Sequence, residues 1–210
     1  LSERVLPQET VTLSLLDDGQ AAVGYLHGKV SLEDSDSVEI WSASGLDEAV
    51  EALAFLGDSA RLFGVMLDGT LLEWDGRSGR LLRRVETSIP EVRSFAFLSR
   101  GVELLHGTED GLAIRNSESL ELIVRMSGHR EMVRDVEVSA DGRWAATASN
   151  DGTVGVWDLQ AKQLVRLLKG HQDAVVDIAL APDGESVVSV SEDATVRLWN
   201  RQSGRELARL

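Results

Sequence analysis

A repeat of 41 or 42 residues limits, more than any other feature, what this chain can fold into. Residues 128–168 align with residues 170–210 without a gap, and weaker copies of the same pattern precede them. Corresponding turn positions recur at 27, 68, 110, 151 and 193. The pattern divides the chain into five units, at about 1–43, 44–85, 86–126, 127–168 and 169–210. These units leave no room for a second domain, so we expect a single repeat array over 1–210.

Side chains within a unit follow a period of two, which is typical of β-strands rather than helices. Residues 133–138 form one such run, and the turn pair Asp141-Gly142 follows it. Three further runs complete the unit, at 144–148, 153–157 and 163–168. Four short strands separated by Asp-Gly-type turns make a meander. A stack of such sheets predicts an all-β fold, a β-propeller with about five four-stranded antiparallel blades.

The last two units share a Gly-His pair, a hydroxyl residue, an aspartate, and a Trp-Asp or Trp-Asn pair. These residues are Gly128-His129, Thr147, Asp151 and Trp157-Asp158, matched by Gly170-His171, Ser189, Asp193 and Trp199-Asn200. The set resembles the WD40 repeat. The resemblance is strong for residues 127–210 and weaker for 44–85, and elsewhere it rests on the period.

The first three units depart from the WD40 pattern. Unit two has Leu46 where the family has His, and Gly64 where it has Ser or Thr. Unit three has His106 at the hydroxyl position and Arg115 near the Trp position. In unit one, Glu33 stands at the Trp position. Because each buried Leu or Phe contributes about 1.5–3 kcal/mol, we expect packing to hold these blades, though more loosely than the last two.

The resemblance implies a buried hydrogen-bond chain in each of the last two units. In WD40 blades the Trp indole donates to the hydroxyl, which bonds the His, which bonds the turn Asp. The two chains would be Trp157, Thr147, His129, Asp151 and Trp199, Ser189, His171, Asp193. A satisfied network specifies one geometry, whereas a broken one strands a polar group. We therefore expect Asp193→Ala to lower the melting temperature.

Ser189, His171 and Asp193 are also the residue types of a hydrolase triad. The same set recurs at the repeat spacing beside an indole, where a nucleophile has no reason to recur. We therefore predict no enzymatic activity and no catalytic residues. Because no phosphate loop, His-x-Glu motif or carboxylate pair stands in its usual context, we expect no cofactor and no metal site. The chain also has no cysteine, which excludes thiolate ligands.

The resemblance also implies where a partner would bind. In the family, partners often bind the top face, formed by the loop after Gly-His, the start of the innermost strand and the residue before the turn Asp. The corresponding residues are Arg93, Glu109, Met132, Arg134, Asn150, Ala174, Val176 and Glu192. Arg93 and Arg134 either form a small basic spot or line a solvated funnel. If Arg134 binds a partner, Arg134→Glu weakens binding without lowering stability.

The net charge of −14 bears on the choice of partner. Phosphate binding needs clustered Lys and Arg, so we expect no nucleic-acid surface. The acidic surface either keeps the protein soluble or attracts a basic protein or peptide. No stretch approaches the roughly 18 apolar residues of a membrane span, so we expect no membrane partner. The lack of cysteine suits the cytoplasm, where we expect the protein.

Three functions remain open at this point. The resemblance implies a non-catalytic interaction scaffold or sensor module of a larger signalling protein. The alternatives are a structural array that completes a partner's propeller ring, and a hydrolase with a propeller active site. Family rings most often have seven blades, and both ends of this chain fall between blades. We therefore expect an arc with blades elsewhere, rather than a small closed ring, and association through open blade faces.

Overall fold

The structure, a computed structural model, describes residues 10–16, 18–56, 61–86, 92–98, 102–181 and 184–210. In these residues there are twenty β-strands and no helix, hence none with the length and apolar character that a membrane crossing requires. The strands form five four-stranded antiparallel sheets, which confirms the predicted all-β fold class. The start of the first sequence unit, residues 1–9, lies outside the described residues. The chain divides into two compact units, Leu1–Arg93 and Ser94–Leu210.

The unit of residues 1–93 contains the first two sheets, and the strands of each pair in chain order. The first sheet consists of β1 (Thr10–Leu15), β2 (Ala21–Tyr25), β3 (Val30–Glu33) and β4 (Glu39–Ala43). The second consists of β5 (Val50–Leu56), β6 (Arg61–Met66), β7 (Leu71–Asp75) and β8 (Leu81–Val85). Strand β5 packs against β1 and β2. The shared core includes Ala22, Val30, Val50, Leu62 and Trp74.

The unit of residues 94–210 contains the other three sheets. The third sheet consists of β9 (Phe95–Leu98), β10 (Glu103–Gly107), β11 (Gly111–Asn116) and β12 (Leu122–Ser127). The fourth consists of β13 (Val133–Val138), β14 (Trp144–Ser149), β15 (Thr153–Asp158) and β16 (Gln163–Lys169). The fifth consists of β17 (Val175–Leu180), β18 (Ser186–Ser191), β19 (Val196–Asn200) and β20 (Glu206–Arg209). The first strand of each sheet packs on the next sheet, β9 on β13 and β13 on β17.

In the fourth and fifth sheets the turn between the second and third strands contains a residue with a left-handed backbone. In the fourth sheet Gly152 takes this conformation, with φ of 75°, and Asp151 Oδ1 accepts the N–H of Thr153 at 2.9 Å. Glycine adopts such a φ without steric cost. In the fifth sheet the same position is Ala194, with φ of 62°. The methyl group of Ala194 makes this turn the more strained of the two.

A β-bulge interrupts the first strand of both the fourth and the fifth sheet. The register of β13 on β14 shifts between Val133 and Asp135, so Arg134 is the additional residue. The register of β17 on β18 shifts in the same way around Val176. A bulge bends the strand and re-aims the side chain of the additional residue. Two of the candidate partner-binding residues therefore stand on bulges.

Candidate partner-binding surface

A hydrogen-bond chain runs through the interior of the fourth sheet. Trp157 Nε1 donates to Thr147 Oγ1 at 2.9 Å, and Thr147 Oγ1 lies 2.7 Å from His129 Nε2. His129 Nδ1 lies 3.1 Å from Asp151 Oδ2, which also accepts the N–H of Arg130 at 2.9 Å. The chain of bonds ties β15 to β14 and to the loop that enters the sheet.

The fifth sheet repeats this arrangement with one addition. Trp199 Nε1 donates to Ser189 Oγ at 2.9 Å, and His171 joins Ser189 Oγ (2.8 Å) to Asp193 Oδ2 (2.9 Å). The additional group is the buried Arg197, whose Nη2 lies 3.5 Å from Asp193 Oδ2 and whose Nη1 donates to Glu206 at 2.8 Å. The fourth sheet has Gly155 at the position of Arg197, so of these two sheets the fifth alone has a buried cation beside its turn aspartate.

The electrostatics of the fourth sheet's chain fix the direction of its hydrogen bonds. Burial lowers the pKa of His129 below its usual range, although Asp151 opposes the shift. For Asp151, burial alone would raise the pKa, but hydrogen bonds from Thr153 and from the Arg130 N–H hold it low. A neutral His129 donates from Nδ1 to the Asp151 carboxylate and accepts at Nε2 from Thr147. The Thr147 hydroxyl thus accepts from the indole and donates to the imidazole.

The third sheet has a different pair at the equivalent positions. Arg115 lies opposite Leu104 as Trp157 lies opposite Ala145, and Arg115 Nε donates to His106 Nε2 at 3.2 Å. His106 Nδ1 lies 2.7 Å from the carbonyl oxygen of Gly107. Burial lowers the pKa of His106 to about 4. The sequence pattern placed both residues at network positions but did not indicate that they pair.

The first sheet also has its own polar cluster. Glu33, at the Trp position, is buried, and its Oε1 accepts from the Tyr25 hydroxyl at 2.8 Å and from Ser31 Oγ at 3.2 Å. All three residues lie in the second and third strands, so the cluster ties β2 to β3 without His, Asp or Trp. The sequence pattern did not indicate this cluster.

Three of the candidate partner-binding residues come together on the surface of the fourth and fifth sheets. Arg134 Nε donates to Asn150 Oδ1 at 2.6 Å, and Arg134 Nη2 donates to Glu192 Oε1 at 3.4 Å. Arg134 stands on the bulge of β13, while Asn150 and Glu192 precede the turn aspartates of the two sheets. We call these three residues the Arg134 cluster. Because Glu192 pairs with it, Arg134 is not an isolated positive charge.

The structure places the remaining candidates differently. Ala174 is buried, and its carbonyl oxygen accepts the N–H of Glu192 at 2.9 Å, so its contribution is to the backbone. Met132 is half-buried, and its carbonyl oxygen accepts the N–H of Asn150 at 3.0 Å. Val176 is half-buried on its bulge. Glu109 is exposed and pairs with Arg125 at 3.0 Å.

Arg93 lies in the unit of residues 1–93 and is half-buried. Its Nε is buried and has no hydrogen-bond partner among the described residues. The described residues also contain no group of three His, Cys, Asp or Glu side chains arranged to hold a metal ion.

In residues 94–210, a ladder of side chains joins the first strands of neighbouring sheets. The sequence pattern did not indicate this ladder. The N–H of Val136 donates to Ser94 Oγ at 3.2 Å, and the N–H of Ile178 donates to Asp135 Oδ2 at 3.1 Å. Ser94 immediately precedes β9 and Asp135 lies on β13, while each donor lies on the first strand of the next sheet. Asp135 also interacts with Asp177, its equivalent in the fifth sheet. Burial raises the pKa of Asp135 to about 6, and the contact with Asp177 adds to the rise.

The sheets with complete hydrogen-bond chains are also those that a family model matches. The model described as "WD domain, G-beta repeat" matches residues 120–158 and again 162–200. The first match contains β12 to β15 and the second β16 to β19, so a sequence repeat is one strand out of phase with a sheet. This chain thus contains two WD40 repeats, over residues 120–158 and 162–200.

Several curated relatives are similar to this chain. U3 small nucleolar RNA-associated protein 21 homolog of Schizosaccharomyces pombe is 28% identical over 93 residues, 44% of this chain and 10% of that protein. WD repeat-containing protein 55 of Pongo abelii is 24% identical over 134 residues, 63% of this chain and 35% of that protein. WD repeat-containing protein 18 of Danio rerio is 29% identical over 162 residues, 70% of this chain and 37% of that protein. The chain thus spans between about a tenth and a little over a third of these relatives.

Proposed function

We propose that this chain is a non-catalytic interaction scaffold that binds a protein or peptide partner at the Arg134 cluster. The observation that carries the proposal is the meeting of Arg134, Asn150 and Glu192, which come from two sheets, at one surface. Bulges and turns on a rigid sheet frame hold polar side chains in fixed positions, as a binding surface requires. The relationship to WD repeat proteins supports a role in protein interaction.

The burial of the triad-like residues supports a non-catalytic role. Ser189 has 0% exposure, so no substrate can reach its hydroxyl. That hydroxyl already accepts from the Trp199 indole and bonds His171. A nucleophile must present its oxygen to the reacting carbon, within hydrogen-bond reach of its base. Here the residues of a triad serve to join strands.

The finer parts of the proposal concern partner and compartment. We infer a basic protein or peptide as partner, because the chain carries a net charge of −14, and we infer no nucleic-acid surface for the same reason. We further propose a cytoplasmic protein that acts within a larger signalling protein. The absence of cysteine supports a reducing compartment.

A substitution at Arg134 tests the proposal. We choose Arg134→Gln rather than Glu because a carboxylate would face Glu192 at close range, whereas Gln can still bond Asn150. Wild-type protein, Arg134→Gln and the control Arg205→Gln, all with matching circular dichroism, are immobilised and exposed to lysate of the source cells. We expect a set of proteins retained by wild type and control but lost from Arg134→Gln. Retention of the same set by Arg134→Gln, or of no protein by wild type, would contradict the proposal.

A second candidate function, completion of another protein's propeller ring, is favoured by one face of the fifth sheet. Leu168 is 2% exposed between the fourth and fifth sheets, whereas its equivalent Leu210 is 89% exposed. In β18 and β19, four apolar residues are only half-buried, although their equivalents in the fourth sheet are buried: Val188, Val190, Val196 and Leu198. The buried equivalents make up the contact between the fourth and fifth sheets. The same kind of sheet fits on this face.

Light scattering after size-exclusion chromatography tests this second function. We expect the molar mass of the wild-type protein to rise with concentration and that of Leu198→Glu to stay at the monomer value. Val165→Glu is the control, because Val165 is an exposed apolar residue on β16, outside this face. A wild-type monomer at every concentration, or association of Leu198→Glu equal to wild type, would exclude this function.

A further inference from the structure

A groove of about 260 Å³ lies beside the outer strand β16, where the fourth sheet meets the loop that enters the fifth. Its lining includes Arg130, Gly152, Leu167, Lys169, Gly170 and His171. Gly152 and Gly170 contribute only backbone to its lining. Leu167 is half-buried and offers an apolar patch. The groove does not include the Arg134 cluster.

The cationic side chains that line this groove differ from most others in residues 94–210 in whether they pair with an acceptor. Within the described part of residues 94–210, most arginines hold an acceptor, as Arg125 holds Asp110 at 2.8 Å and Arg201 holds Glu185 at 3.2 Å. The described cations there whose side chains form no hydrogen bond or ion pair are Arg130, Lys162, Lys169 and Arg205. Arg130 and Lys169 are exposed and line the same groove.

The one carboxylate in the groove lining does not compensate these two cations. Asp151 already accepts from His129, from the N–H of Arg130 and from Thr153, and its side chain is only 6% exposed. Its charge is therefore directed inward, toward the buried chain of bonds. The solvent side of the groove has two positive charges next to an apolar contact.

We propose that this groove binds an acidic peptide segment, whose carboxylates pair with Arg130 and Lys169 while an apolar side chain contacts Leu167. Two cations and one apolar residue fit acidic residues that flank a hydrophobic one. At physiological ionic strength charges are screened beyond about 8 Å, so the local pair decides what the groove attracts. Because the chain as a whole carries a net charge of −14, it has no general attraction for an acidic segment.

The experiment measures fluorescence anisotropy of a short fluorescein-labelled peptide of alternating glutamate and leucine. The variants are Arg130→Glu, Lys169→Glu and the double variant, and circular dichroism confirms that each is folded. Lys162→Glu and Arg205→Glu are matched controls, with the same charge change outside the groove. A peptide with glutamine in place of glutamate controls for apolar binding.

We expect saturable binding to wild type that weakens with added salt, and an affinity about tenfold lower for the double variant. The Lys162→Glu and Arg205→Glu proteins should bind as wild type does. The proposal is overturned if wild type does not bind the peptide, if the double variant binds equally well, or if the controls lose as much affinity. It is independent of the Arg134 cluster, so Arg134→Gln should bind the acidic peptide normally.

Discussion

The Thr147 hydroxyl lies in the middle of the fourth sheet's hydrogen-bond chain. It accepts from Trp157 and bonds His129, which in turn holds Asp151, so one oxygen links two strands and a loop. Thr147 is 0% exposed, and water cannot replace the hydroxyl if it is removed. Loss of a partner in such a site costs the desolvation of the groups left behind.

Thr147→Val keeps the shape of the side chain and removes the hydroxyl. We expect the free energy of unfolding to fall by about 1–3 kcal/mol, because the Trp157 and His129 nitrogens lose their partner. Urea denaturation followed by tryptophan fluorescence measures the change. Thr12→Val is the control, since Thr12 is a half-exposed strand residue outside this network. Equal stability of Thr147→Val and wild type would show that the hydrogen-bond chain does not stabilise the sheet.

The strain at Ala194 leads to a prediction of the opposite sign. Ala194 has φ of 62°, where the equivalent residue of the fourth sheet is Gly152. Ala194→Gly relieves the left-handed strain but gives the unfolded chain more freedom. We expect a net gain in stability of roughly 0.5–1 kcal/mol, measured by thermal unfolding. The control is Ala140→Gly, at an exposed turn alanine without positive φ, which should give no gain in stability. If both changes stabilise the protein, the gain at Ala194 does not come from relief of backbone strain.

At the scale of the element, the ladder of Ser94, Asp135 and Asp177 links neighbouring sheets through their innermost strands. Its pH dependence follows from the raised pKa of Asp135, about 6 in the folded protein. In the unfolded chain an aspartate titrates near 3.9. The folded state therefore binds more protons between these two pKa values. Stability from this group is present at low pH and is lost as the pH rises through about 6.

Asp135→Asn isolates this effect, because the amide resembles the protonated acid. We expect the melting temperature of wild type, relative to the variant, to fall between about pH 4 and 6, by an amount equivalent to about 1–3 kcal/mol. Glu131→Gln, on the exposed loop before β13, should leave the profile parallel to that of wild type. His106 and His129 have lowered pKa values and act in the opposite direction, so the difference between profiles is compared and not either profile alone. Burial and the charge of Asp135 raise the pKa of Glu137 to about 7, so this difference reports on Asp135 together with Glu137. Parallel profiles for Asp135→Asn and wild type would contradict the assignment.

Much of the strand order could be predicted from the sequence, because the turn residues and the period of two are local signals. The pair of hydrogen-bond chains was implied by the resemblance to the WD40 repeat, which residues such as His129 and Asp151 carry. The contact of Asp135 with Asp177 depends on how one sheet packs on the next, which spacing does not report. The pair of His106 and Arg115 was missed for another reason. Arg115 in place of Trp breaks the WD40 motif, although the Arg115 side chain still donates a hydrogen bond as the Trp indole does. The groove at Arg130 and Lys169 arises only when two loops meet.

At the scale of the whole molecule, the five sheets differ in how their strands are tied together. The fourth and fifth have complete buried chains of hydrogen bonds, and the third has the His106–Arg115 pair. The second has Gly64, where a Cβ would lie 2.9 Å from the Trp74 ring, so the indole occupies the space of the missing hydroxyl residue. Local opening is easiest where few buried bonds must break.

Hydrogen exchange read by mass spectrometry should show this order. We expect the slowest amide exchange in β14, β15, β18 and β19, and faster exchange in the strands of the first and second sheets. Thr147→Val should accelerate exchange in the fourth sheet more than in the first. Uniform protection across the five sheets would show that apolar packing alone sets local stability, and that the hydrogen-bond chains add nothing to it.

The one-strand offset between sequence repeat and sheet has a consequence for how such a chain can change over generations. A stretch such as 120–158 supplies the outer strand of one sheet and the first three strands of the next. If a gene gains or loses one such stretch, each remaining stretch still supplies the outer strand of the sheet before it. The number of repeats can therefore change without leaving a sheet short of a strand, because each added stretch contributes strands to two neighbouring sheets.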